Sequence, residues 1–81
     1  MARLFLLDVP EFRPFVEAGR VDPAITVTAR KDYVELSAPG ALRIERSRTG
    51  LKRAVWYGAL TGGYIGNIDR FDDDALIISD T

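Results

Sequence analysis

The sequence predicts an α+β fold: an antiparallel meander of about five strands, or a small, partly open barrel made from them, with one short N-terminal helix. Two observations carry this. From residue 24 onward most segments alternate apolar and polar residues, the period of half-buried strands, with turn residues between them. Helical spacing is confined to a stretch before residue 20. At 81 residues the chain is expected to form a single domain, residues 1–81. A domain this small buries only roughly 60–65% of its unfolded surface, so pairing with another molecule is one route to a wider stability margin.

The first apolar run, from Leu4 to Leu7, reads as a short edge strand or as the lead-in to the helix. Asp8 and Glu11 have capping-box spacing. Phe12, Phe15 and Val16 fall on one helical face, expected to cover a sheet, and Gly19 is the expected stop. Pro14 conflicts with a helix capped at Asp8, because it lacks an N–H and clashes with the turn behind it. The helix is therefore either kinked or only a turn or so long after Arg13.

Residues 24–30 and 33–38 predict a hairpin turning at Lys31 and Asp32. Its register tests itself. Ala29 opposite Val34, Val27 opposite Leu36 and Ile25 opposite Ala38 put the apolar groups on one side. Thr28 opposite Glu35 and Thr26 opposite Ser37 put polar groups on the other.

Pro39 and Gly40 turn the chain into a strand over residues 41–47, with Leu42 and Ile44 alternating with Arg43 and Glu45. Residues 51–60 read as the next strand, but there the alternation fails. Ala54, Val55, Trp56, Tyr57, Ala59 and Leu60 are apolar on both faces, as in a central strand covered on both sides or covered on one by another molecule. A three-residue turn between these strands pairs Glu45 with Arg53 and Leu42 with Trp56. It is preferred to the two-residue turn, which opposes Arg46 and Arg53. A short strand over residues 64–68, a polar loop over 69–74 and a last strand over 75–79 complete the reading.

Composition excludes several chemistries. With no histidine and no cysteine, Ser-His-Asp and Cys-His hydrolases are excluded, and so are disulfides and thiolate-bound metals. Signal-peptide and membrane-spanning patterns are lacking, because the first apolar run ends at Asp8. A cytoplasmic protein without a membrane partner is therefore expected. Net charge is −1, but it is unevenly spread: residues 1–29, 30–53 and 54–81 net −1, +4 and −4.

Four features are candidate sites. Gly62, Gly63 and Gly66 lack the lysine and helix of a phosphate loop, and serve better to bend a strand. Asp69, Asp72, Asp73 and Asp74 lack the spacing of a calcium loop and suit a solvated loop guarding the strands. Neither a metal nor a cofactor is expected. The arginine-rich segment offers cations beside aromatic rings. Tyr33, Arg43, Arg46, Arg48, Lys52 and Arg53 are the candidates for a sheet that binds single-stranded nucleic acid. The apolar stretch offers an interface made of Trp56, Tyr57 and Tyr64, framed by Arg43, Arg46 and Arg53, with the positive middle and negative tail as complementary charges.

The function expected from these features is that of a non-catalytic interaction or accessory module. It is either a homodimer or a small subunit of a larger assembly, with a protein partner at the aromatic stretch. Nucleic-acid binding is the alternative. An enzyme ranks below both, since no spacing of Asp, Glu, Lys or Tyr singles out an acid–base pair.

Overall fold

The computed structural model describes residues 1–80. The α+β class and the short N-terminal helix are as the sequence predicts. Among the described residues the strands number seven, in two antiparallel sheets, and they do not close into a barrel. One sheet has the order β2-β3-β1-β5, formed by β1 (Ala2–Leu7), β2 (Thr26–Ala29), β3 (Tyr33–Ala38) and β5 (Tyr64–Ile65). The other has the order β4-β7-β6, formed by β4 (Ala41–Glu45), β6 (Asn67–Phe71) and β7 (Ala75–Ser79).

The hairpin of β2 and β3 has the predicted register, from Thr26 opposite Ser37 to Ala29 opposite Val34. The Arg30 amide donates to the Tyr33 carbonyl at 2.9 Å and closes its turn. β1 is not an edge strand. It lies between β3 and β5, with Ala2, Leu4 and Leu6 wholly buried. The run of apolar residues is the mark of an inner strand, whose hydrogen bonds are taken on both sides.

The helix begins later than the Asp8 cap predicts. A 3-10 turn, Pro10–Phe12, precedes α1 (Arg13–Arg20), and no side chain caps either one. Pro14 therefore sits in the first helical turn, where its missing N–H costs nothing. Gly19 does not stop the helix. A Cβ there would lie 2.7 Å from Leu36 Cδ2, so the glycine lets α1 press onto β3. Phe12, Phe15 and Val16 are buried on that side, as their spacing predicts.

Residues 51–60 are helical rather than extended. α2 (Arg46–Thr49) ends at Gly50 in the left-handed conformation, with φ of 70°. Then come α3 (Arg53–Trp56) and a 3-10 turn, Ala59–Gly62. The reason lies in the period. Leu51, Val55, Trp56, Ala59 and Leu60 recur at intervals of three and four, and these are the residues that bury while 52–54 stay exposed. An apolar run that fails as a strand on both faces fits a helix on one. The strand register expected between residues 41–47 and 51–60 has no counterpart, because β4 pairs with β7.

Residues 64–71 change sheets at Gly66. Tyr64 pairs with Leu4 in one sheet, and Asn67 pairs with Ser79 in the other. Gly66 has φ of 127°, and a Cβ there would meet the Ser79 carbonyl at 2.5 Å. The polar loop is shorter than predicted: β6 runs to Phe71, and only Asp72–Asp74 turn back to β7.

The core fills the space between the sheets. Leu4, Leu6 and Leu36 come from one, Leu42, Leu76 and Ile78 from the other, and Phe15 and Trp56 from the helical segments; all are fully buried. No helix among the described residues is long and apolar enough to cross a membrane.

Candidate interaction surfaces

Trp56 was expected on a partner-facing surface. It is instead wholly buried. Its indole stacks on Phe15 at 5.4 Å, meets Phe71 at 5.8 Å, and donates its N–H to the Asp72 carbonyl at 2.7 Å. A large ring whose polar tip finds an acceptor makes a core anchor, and Trp56 fixes α3 against the turn between β6 and β7.

That turn gathers most of the segment's charge. The Arg46 guanidinium donates to the carbonyls of Asp73 and Leu51, the latter at 3.1 Å, while its amide donates to Asp74 at 2.8 Å. Arg53 pairs with Asp73 at 3.0 Å, and the Tyr57 hydroxyl donates to the same carboxylate at 2.6 Å. Arg70 pairs with Asp72 at 2.6 Å and with Asp74 at 3.7 Å. The Asp72 carboxylate also accepts the amides of Asp74 and Ala75, each at 2.9 Å.

These contacts move the titrations of exposed groups. The Arg70 hydrogen bond, then the two amides, lower Asp72 to about 2. The Tyr57 hydroxyl, followed by Arg53, holds Asp73 below the usual carboxylate range. The same bond to Asp73 raises the Tyr57 phenol. Arg70 is raised by Asp72.

The three aspartates are thus not a loose guard loop. Asp72 and Asp74 share Arg70, Asp73 takes Arg53 and Tyr57, and the positive middle of the chain meets the negative tail inside one molecule. Between the two segments Arg53 pairs with Asp73 and Arg46 takes the Asp73 carbonyl, while Arg70, itself in the tail, pairs with Asp72 and Asp74. Beside this cluster, Arg43 and Arg48 share Glu45 at 3.4 and 3.9 Å. An open groove of about 530 Å³ runs between Arg43, Arg46, Arg70 and Asp74.

The interface expected from the sequence is therefore divided. Arg46 and Trp56 support the turn from within and beneath, while Tyr57, 43% exposed, shows a ring packed on Phe71 at 5.1 Å. Tyr64 lies apart, on β5 at the edge of the four-stranded sheet. The candidates for nucleic acid are divided in the same way: Tyr33 belongs to β3, in the other sheet from Arg43, and meets Phe5 edge to face at 5.4 Å.

One group escaped the sequence reading: Arg3, Phe5, Leu7 and Ile65, which share the outer face of the four-stranded sheet with the already named Tyr33. The signal was in β1, where Arg3, Phe5 and Leu7 alternate with the buried Ala2, Leu4 and Leu6. Gly62 lets the neighbouring turn close on this strand, since a Cβ there would overlap the Phe5 carbonyl.

A chain of the solved phenol hydroxylase–regulatory protein complex is similar to this one, with a TM-score of 0.77 and 22% sequence identity over 99% of this chain and 98% of that one. At this identity the likeness is one of fold. No protein-family model matches the sequence, and no curated protein matches it.

Proposed function

We propose that the chain is a non-catalytic accessory subunit that acts by binding a larger protein, and that the partner is an enzyme of the hydroxylase kind. The observation that carries this is the likeness over both full lengths to a chain of a hydroxylase–regulatory protein complex. The match covers 98% of the neighbour, so that neighbour is itself a chain of about this size and not a segment of a large subunit.

The chemistry of the chain supports binding over catalysis. Its clustered titratable groups, Arg46, Arg53, Arg70, Tyr57 and the three aspartates, bond to one another and to backbone carbonyls. A group so engaged braces a turn. On this reading Tyr57, Arg43 and Arg53 offer a contact surface, with Trp56 and Arg46 holding its backbone. Tyr64 contributes to a separate contact at the sheet edge.

The test uses the full tagged chain isolated from its own cells. A larger protein should accompany it at fixed stoichiometry. That protein's substrate oxidation should change on adding the chain, while the chain alone turns over nothing. Turnover by the isolated chain, or a partner whose activity ignores it, would contradict the proposal.

A further inference from the structure

The outer face of the four-stranded sheet carries three exposed apolar side chains, Leu7, Tyr33 and Ile65, around the half-buried Phe5. Pairing puts Arg3, Phe5 and Leu7 of β1 on that face with Tyr33 and Glu35 of β3, because Leu4, Leu6, Val34 and Leu36 point into the core. Ile65 of β5 stands opposite Arg3. Leu7, Tyr33 and Ile65 are 43%, 36% and 50% exposed, and the adjoining Tyr64 is 42% exposed. Leu7, Tyr33 and Ile65 are three of the seven large apolar side chains exposed among the described residues, and Phe5 lies between them; Tyr64, opposite the core-facing Leu4, belongs to the other face at the sheet edge. Scattered apolar residues need no explanation, but a contiguous group marks an interaction site. The Phe5–Tyr33 contact also holds two rings in place, so little side-chain freedom is lost on binding.

Charge selects the occupant. Glu35 sits in this face at 7% exposure, 3.2 Å from Arg30 and 4.0 Å from Arg3. One carboxylate thus serves two guanidinium groups, and the face keeps an unmatched positive charge. Asp8, Lys31 and Asp32 lie beyond it, on the loops at its end. A second copy laid face to face would bring a Glu35 already engaged by its own Arg3 and Arg30, so two faces of like net charge would oppose each other. A partner with its own carboxylates would complete the arrangement.

We propose that this sheet face is the principal docking face of the chain, and that it takes a larger protein whose matching surface is apolar with acidic side chains set against Arg3 and Arg30. The proposal rests on the accessory-subunit reading and names the surface that does the binding.

Hydroxyl-radical footprinting of the free chain and of the isolated complex tests it. Phe5, Leu7, Tyr33 and Ile65 should lose reactivity several-fold on binding. Tyr33→Asp and Ile65→Asp, which remove apolar contact and oppose the partner's carboxylates, should each weaken the complex by about tenfold or more, and added salt should weaken the unmodified complex. Glu17→Lys, on the exposed side of α1, should not. A complex that leaves these residues as reactive as in the free chain would overturn the proposal while sparing the accessory reading. Protection confined to the Tyr57 side would do the same. Self-association of the free chain through this face would overturn the choice of occupant. The lack of any stoichiometric partner would remove the accessory reading itself.

Discussion

The indole N–H of Trp56 donates to the carbonyl of Asp72 at 2.7 Å, across sixteen residues of sequence. This bond joins the helical segment to the turn between β6 and β7. The exposed Tyr57 and Arg53 depend on it, since both reach Asp73, the next residue of that turn.

Trp56→Ala should therefore cost about 3–5 kcal/mol, the range for deleting a large buried aromatic side chain. Trp56→Phe should cost less, keeping the stack on Phe15 but leaving the Asp72 carbonyl without the indole donor. Urea unfolding of the two variants measures both effects. Equal losses would mean that the hydrogen bond contributes nothing.

Arg46→Met should destabilise the chain by roughly 1–3 kcal/mol, because a charged donor to two backbone carbonyls is lost from a half-buried position. Arg43→Met, which removes only an exposed pair with Glu45, should change stability by less than about 1 kcal/mol. Chemical unfolding of the two variants gives the comparison.

Gly66→Ala should cost more than about 1–3 kcal/mol, since φ of 127° is strained for alanine and its Cβ would collide with the Ser79 carbonyl. Gly40→Ala should be close to neutral, because nothing lies within 4 Å of the added Cβ. Melting temperatures of the pair are the check.

The Asp72–Asp74 turn should make stability depend on pH at both extremes. Asp72 and Asp73 have folded pKa values below their unfolded ones, so their contribution is complete above about pH 4 and is lost as pH falls toward 2. The raised Tyr57 phenol acts in reverse. Its contribution is complete below about pH 10 and is lost as pH rises through its folded value. A melting temperature level between these limits is expected, with Asp73→Asn bringing the phenolate absorbance change of Tyr57 back toward its ordinary pH. An unchanged Tyr57 titration in Asp73→Asn would contradict the assignment.

Local pattern carried much of the fold. The β2–β3 register was legible because a slip by one residue would have turned Val27 and Leu36 to the opposite face. The Phe12–Val16 face was legible from its spacing. Residues 51–60 are hard to read locally because the short apolar run 54–60 fits either period, and the helix there is settled by what Trp56 packs on, Phe15 and Phe71, both distant in sequence. The sheet change at Gly66 is likewise a tertiary event. The site suffered from the same cause. Arg46 and Arg53 were seen as a basic patch and Asp72–Asp74 as a separate acidic loop, because nothing local shows that the turn brings them within bonding distance. The outer face of β1 was visible in its alternation, but its exposure depends on which side the helices cover.

An accessory subunit held by a larger protein shows itself in the mass and composition of the particle that carries the full chain when isolated gently from its own cells. Light scattering coupled to size exclusion should find the chain in a particle several times its own mass, with a second, larger protein at fixed ratio and the purified chain alone as a monomer. Recovery of the chain only as a free monomer, or only as an oligomer of itself, would contradict the account.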